Sequence, residues 1–376
     1  MNYLLSIGSK LSFVWYILVA ILALLLMVMI HEFGHYIAGK MLGFKINEFS
    51  VGFGPKIFQK KKKNGEVFSL RTIPLGGYCA FDGEDEKSDS PTAFNNQKPW
   101  KRLIVLFFGA FFNFLSAIIF SYILLVSCGY EYVEVKSMGK TSFQYQTAQH
   151  LEVGDKIYGI NGTEFDFVHD EYFNGLLGEY VRNDLNFEQN IWTSDEGIEY
   201  STIPLNVERD GRKIVVDGVL QKQIVDDEEV WSFVALDSKD FQLKTYKHGF
   251  GEAIGESFSF TWRWAQKICI ILGDLFTGQL SIKSLGGPVT TIKVMAETTQ
   301  QSYSYLLVLL PVIAVNLAVF NLLPIPSLDG ARMVFVFIEW IRRKPINRDV
   351  EAYIHGFGLL LLLGFVVVVD ILQFML

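Results

Sequence analysis

Charge is the first thing this sequence has too little of. Asp, Glu, Lys and Arg make up 19% of its 376 residues, where soluble chains average roughly 25%. Cysteine is scarce too. Cys79, Cys128 and Cys269 lie far apart with no C-x-x-C pair, which excludes a disulfide scaffold or a zinc site built from thiolates alone. Basic residues number 33 against 40 acidic, a net charge of −7, which argues against a general nucleic-acid binder. No repeat of 20–50 residues is evident, so a solenoid is excluded. What replaces charge is apolar surface: half the chain is hydrophobic, 15% is aromatic, and mean hydropathy is +0.27. Such a chain is too greasy to be wholly soluble and too charged to be spans alone. A membrane protein with a water-soluble part attached is expected.

A membrane span needs about 20 mostly apolar residues. Residues 11–30, 103–130, 298–328 and 352–369 carry no Asp, Glu, Lys or Arg, and they predict four transmembrane helices. Lys10 ahead of the first run also fits a signal peptide. The run is long for that, no A-x-A-like site follows, and it continues into His31-Glu32, so a retained span is expected. Residues 40–102 hold 12 basic and 7 acidic residues, and residues 131–297 hold 15 basic and 27 acidic. Arg342, Arg343, Lys344 and Arg348 precede the last run. Positive charge marks cytoplasmic links. The first and third links are therefore expected inside, and the acidic middle segment and both termini outside.

Residues 46–53 and 67–73 are β-leaning, with Asn64-Gly65 between them as a hairpin signal. The Lys60-Lys61-Lys62-Lys63 run reads as a turn tip at lipid headgroups. Residues 132–243 form a small strand-rich domain, with Asn161-Gly162 as a turn and a hairpin turning at Asp210-Gly211. Residues 249–297 are amphipathic; an interfacial helix and a core helix of the soluble domain both fit. The expected divisions are 1–38 (first span), 39–102 (membrane-associated hairpin region), 103–130 (second span), 131–245 (outer domain), 246–300 (amphipathic segment), 301–342 (third span and an Asp-bearing region) and 343–376 (link and fourth span).

His31-Glu32-Phe33-Gly34-His35 is an H-E-x-x-H pattern. On a helix, residues four apart share a face, so both imidazoles can reach one zinc ion, with Glu32 beside it as a base. The bland alternative is two interfacial histidines and a snorkelling glutamate. The motif's place at the end of an uncharged span favours function, because ionisable groups there are costly. A catalytic zinc needs a third protein ligand and an open position. His150, His169 and His248 lie in the outer segment, and His355 in the last span. Asp329 is the better candidate: it follows Pro324 and Pro326, which break the third span, and it falls at a depth similar to His31 by residue count. An ion pair with Arg332 is the rival role for Asp329.

His31-Glu32-x-x-His35 with a distant Asn321-x-x-Pro324-x-Pro326-x-Leu328-Asp329-Gly330 resembles the site-2 proteases, most of all the bacterial RseP-type (regulator of sigma-E protease) intramembrane zinc metalloproteases. The resemblance covers nearly the whole chain. Residues 51–55 and 71–78 look like that family's β-hairpin region, Asn113 like the body of its second span, and 151–162 like its PDZ domain. It implies a polytopic α-helical membrane protein of four transmembrane helices, a membrane-associated β-hairpin region and one extracytoplasmic PDZ-like α+β domain. It implies one catalytic zinc on His31, His35 and Asp329, with Glu32 as general base and then proton donor. Asn321 would hold substrate, assisted by Asn316; Pro324, Pro326, Gly76 and Gly77 join the candidate substrate-binding set. The implied substrates are single-span membrane proteins, such as pre-trimmed anti-sigma factors, or remnant signal peptides, cut in the bilayer of a bacterial cytoplasmic membrane, with no nucleic acid. The sequence departs from the family in the second span at 108–113, at Gly286, and in having room for one PDZ domain with an insertion near 165–200. Two other classes remain open from residues alone: a metal-ion transporter, and a silent membrane scaffold with a PDZ-like binding domain.

Overall fold

A computed structural model describes residues 2–84, 88–139, 150–160, 163–164, 190–225, 228–234, 240–278 and 286–374. The chain divides into two compact units, Met1–Leu124 with Glu252–Leu376, and Leu125–Gly251.

The first unit opens with α1 (Asn2–Leu42). Gly43 ends it at φ +79, and the N–H of Phe44 donates back to the Gly39 carbonyl at 2.9 Å, which is how a left-handed glycine closes a helix. β1 (Ile46–Lys61) and β2 (Val67–Phe81) follow, then α2 (Pro99–Ser127). After the second unit come α3 (Phe250–Thr277), α4 (Pro288–Gln301), α5 (Tyr303–Leu322), α6 (Asp329–Arg342) and α7 (Arg348–Phe374). Among the described residues, four stretches are long and apolar enough to cross a membrane: Phe13–Leu42, Pro99–Ser127, Tyr303–Leu322 and Arg348–Gln373.

Within the uncharged run 298–328, the third span starts at Tyr303, close to the boundary expected at 301, and ends at Leu322, ahead of Pro324 and Pro326. α4 stops at Gln301, Ser302 caps α5 by accepting the Ser304 N–H at 3.3 Å, and a turn separates α5 from α6. Ser and Thr carry no charge, so a charge count passes over a cap that the backbone obeys.

Small side chains let the helices close together, which matters where lipid tails offer no hydrophobic drive between them. Ala20, Ala23 and Met27 of α1 pack with Ala117 of α2, Met295 of α4 and Ala314 of α5. A second cluster joins the hairpin to the helices through Phe44, Ile46, Phe81, Phe94, Val105 and Val336.

The hairpin curls on itself. Gly52 and Gly54 at φ +81 and +84 bend β1, and a Cβ on Gly52 would stand 2.6 Å from the Ile73 carbonyl oxygen. Residues 46–51 then lie between 77–81, with Val51 opposite Gly77, and 67–70, with Val51 also opposite Leu70. Among the described residues, the far side of 77–81 pairs with no strand, so it is an open edge. At the hairpin turn the buried Glu66 carboxylate accepts from Lys40, from Lys62 at 2.8 Å and from Asn64 at 3.2 Å. These donors outweigh its desolvation and hold its pKa down to about 2.

The second unit is one antiparallel sheet of strand order β10-β3-β4-β7-β8-β9, with β3 Tyr130–Val135, β4 Lys156–Ile160, β7 Glu199–Arg209, β8 Arg212–Val225, β9 Glu228–Phe233 and β10 Phe241–Tyr246. Short strands β5 (Thr163–Glu164) and β6 (Trp192–Thr193) pair with β4 and β7. Asp210 and Gly211 at φ +52 and +74 make the β7–β8 turn, as Asp-Gly hairpins require. Val133, Ile157, Ile203, Leu205 and Leu220 form its core. Residues 161–162 and most of the insertion, 165–189, lie outside the described residues.

Candidate metal centre

His31 and His35 sit one turn apart on α1, each buried, with Nε2 atoms 3.1 Å apart. Asp329 opens α6, and its Oδ2 lies 3.0 Å from His31 Nε2 and 3.2 Å from His35 Nε2. These three are the described His, Cys, Asp and Glu residues whose ligand atoms cluster tightly enough for a metal ion.

Zinc fits this set. Four ligands at 2.0–2.1 Å in a tetrahedron stand about 3.3 Å from one another, close to the spacing here. Tautomers agree. His35 Nδ1–H donates to the Val105 carbonyl of α2 at 2.8 Å, so the Nε2 lone pair faces the other two ligand atoms, as in histidine zinc sites. His31 Nδ1 faces the side-chain amides of Asn113 and Asn321, each at 3.4 Å; either amide turned to present its oxygen takes the ring proton there. Asp329 Oδ2 is buried and accepts no well-formed hydrogen bond, despite two nitrogens within 3.2 Å. A cation is the natural partner for such an atom.

Two glycines let α2 come this close. A Cβ on Gly109 would stand 2.5 Å from His35 Nε2 and 2.7 Å from His31 Cε1, and one on Gly34 would collide with the Phe108 carbonyl. The stretch 108–113, where the sequence departs from the family it resembles, therefore touches both histidines. Gly109 and Asn113 are site residues that sequence reasoning left without a role. Their signal was faint: one glycine and one amide in an aromatic span.

Glu32 points toward the hairpin, its Oε2 accepting the Cys79 N–H at 3.0 Å. That bond ties the carboxylate to the open edge of 77–81. Burial pushes the Cys79 thiol well above its usual range, so it is a neutral neighbour and no nucleophile. A cavity of about 560 Å³ opens here, lined by His31, Glu32, Asp329, Asn113, Asn321 and the edge residues from Tyr78.

Arg332, the rival partner for Asp329, forms an ion pair with Glu84, and Asp329 faces the two histidines. Of the substrate-binding candidates, Asn321 lines the cavity. Asn316 is exposed and does not line it. Five residues of helix turn it roughly 140° from Asn321, so the two cannot share a face. Pro324 is exposed, Pro326 packs on Gly358, Gly77 abuts Met29, and Gly76 at φ +105 faces the Phe53 ring. None of these four lines the cavity; they shape the turn and the strand edge behind it.

Residues 19–365 match Peptidase family M50. A relative in Clostridium perfringens strain 13, named "Putative zinc metalloprotease", is 31% identical over 360 residues, 95% of this chain and 97% of its own. Relatives bearing the same description are 29% identical in Fusobacterium nucleatum, over 94% of this chain and 97% of theirs, and 27% identical in Nostoc, over 93% of both. With two thirds and more of both chains matched and a histidine–aspartate centre that fits the metal, this chain belongs to peptidase family M50 and is a membrane-embedded zinc metalloprotease.

Proposed function

We propose that this protease hydrolyses peptide bonds within or beside the transmembrane segment of single-span membrane proteins. The observation that carries the reading is position: His31 and His35 lie inside the apolar stretch Phe13–Leu42, and their neighbours Gly109 and Asn113 lie inside Pro99–Ser127. A hydrolytic centre walled by two spans meets substrate from the bilayer. Pre-trimmed anti-sigma factors and remnant signal peptides are the substrate classes that fit.

His31, His35 and Asp329 would hold the zinc, which when bound would serve as a Lewis acid toward the scissile carbonyl and lower the pKa of a water toward neutrality. Glu32 takes a proton from the attacking water and passes it to the amine nitrogen as the peptide bond breaks. The Cys79 N–H keeps one Glu32 oxygen turned to the hairpin, leaving Oε1 to act as the base. Asn113 and Asn321 fix the His31 ring. A helical substrate hides its amides, so it must unwind first. The edge of 77–81 pairs with no described strand; Glu32 and Glu84 hold its Cys79 and Phe81 N–H groups, and the backbone groups that remain could take an extended strand by strand addition. Asn321 is the side chain best placed to hold that strand.

The sheet of the second unit is read as a PDZ-like domain outside the membrane that admits substrates already trimmed there. Positive links place both termini on that side and the active site toward the cytoplasm of a bacterial inner membrane. Glu32→Gln tests the chemistry. Turnover of a single-span substrate should fall by about 10²–10⁴-fold with zinc content unchanged. Retained turnover would remove Glu32 from the mechanism, and loss of zinc would make it a structural group.

A further inference from the structure

Asp329 reaches the site at the end of the irregular turn 323–328, which has no helical ladder to hold it. Ser327, two residues before it, sits at φ +82, a left-handed conformation that costs a residue with a Cβ and persists only where surroundings impose it. The turn is closed locally by the Leu328 N–H on the Ile325 carbonyl at 3.1 Å, with Pro326 and Ser327 between them, and a group from the last span ties it down. Ser327 N–H donates to His355 Nδ1 at 2.9 Å. One turn further along α7, Gly358 lets Pro326 close in; a Cβ there would stand 3.1 Å from the Pro326 carbonyl oxygen and closer still to its ring. The His355 ring also meets Phe335 of α6 at 5.4 Å. It thus touches both the turn before Asp329 and the helix that Asp329 begins. Ser327 Oγ and His355 Nε2 are both buried without hydrogen-bond partners. The Ser327–His355 bond is therefore the one polar tie between these side chains and the turn.

We propose that His355 is a positioning residue for the metal centre: by accepting the Ser327 N–H it holds the turn in the conformation that delivers Asp329 to His31 and His35. The histidine does not reach the ligand atoms. It acts through the backbone, in the way that groups behind metal ligands set ligand orientation and affinity. A histidine that merely filled space between α6 and α7 would need its ring and not its Nδ1. The inference rests on the reading of Asp329 as a ligand, and the test separates the two.

Zinc affinity of the purified full chain is measured by competition with a chelator, alongside unfolding of the zinc-free protein. His355→Phe keeps a ring and removes the acceptor. His355→Asn places Oδ1 where Nδ1 was. H355F should weaken zinc binding about tenfold or more, H355N should stay within about threefold of the parent, and zinc-free unfolding should not separate the two variants. Should H355F fail to accumulate, H355L reads the same loss of the acceptor. Equal zinc affinity in the parent and H355F overturns the proposal, as does an equal loss in H355F and H355N. Asp329→Ala is the control. If it leaves zinc affinity unchanged, the ligand reading itself fails; if it weakens binding while H355F does not, only the role of His355 fails.

Discussion

His31 and His35 come from one unbroken helix, whereas Asp329 comes from a turn with two prolines at the head of a separate helix. On the first side the ligands are set by local geometry: residues four apart on α1, a neighbouring carbonyl at Val105, and glycines that let α2 close in. On the second side little is local. α6 is held by groups from far along the chain. Arg102 of α2 and Glu339 of α6, both buried, pair across 237 positions. Arg332 pairs with Glu84 beside the hairpin, and α7 supports the turn. A metal site can thus join a rigid preformed half to a half that exists only when the tertiary structure is complete.

Breaking the Arg102–Glu339 pair should have the largest effect. Arg102→Met leaves a buried carboxylate without its charge partner, which costs about 3–5 kcal/mol. The unfolding midpoint should fall sharply, and zinc affinity with it. R102M combined with Glu339→Leu should recover most of the stability, since an apolar pair can replace a buried ionic one. A double variant as poor as the single would show that the pair carries a role beyond holding α6.

Gly109→Ala attacks the other half. Its methyl group would enter the space of both imidazoles, an overpacking of about 1–3 kcal/mol. Zinc affinity should fall by about tenfold or more while the rest of the fold persists. Unchanged zinc binding in G109A would mean that α1 and α2 yield to each other, and that the histidine half is less rigid than described.

The last test concerns the hairpin, outside both halves, where the effect is confined to acid pH. Glu66 titrates near 2 when folded against an ordinary value near 4.5. A lowered carboxylate pKa stabilises the fold above the unfolded value and loses that contribution as pH falls through the folded one. The stability difference between the parent and Glu66→Gln, measured on zinc-free protein, should be constant above pH 5 and shrink between about 4.5 and 2. A difference that ignores pH over this window would mean the lysines do not hold Glu66.

The same contrast explains what could be read from the residues alone. The H-E-x-x-H face, the four apolar stretches and the Asn-Gly and Asp-Gly turns depend on neighbours in sequence, and they were legible. Asp329 was found through its proline-flanked motif rather than through any periodicity. Gly109 and Asn113 were not legible as site residues, because their meaning lies in contacts 74 to 82 positions away that no pattern within α2 records. Asn316, expected to assist Asn321, does not line the cavity, because five residues of helix turn it away. A charge count alone runs straight through 298–328, because Gln301 and Ser302 end one helix and begin another without any charge.

Asp370, the acidic residue near the end of the last span, takes on meaning from α4. Its carboxylate accepts the N–H groups of Val289 and Thr290 and the Thr290 hydroxyl, at 3.3, 3.0 and 2.8 Å, so it caps a helix made 80 residues earlier. At translation rates of roughly 5–20 residues per second, the start of α4 waits about 4–16 s for its acceptor. During that interval the helix that packs on α1 has open N–H groups at its head. The order of synthesis then becomes an order of assembly: the four spans can enter the bilayer one after another, but α4 is sealed against the bundle only when the last turns of α7 arrive.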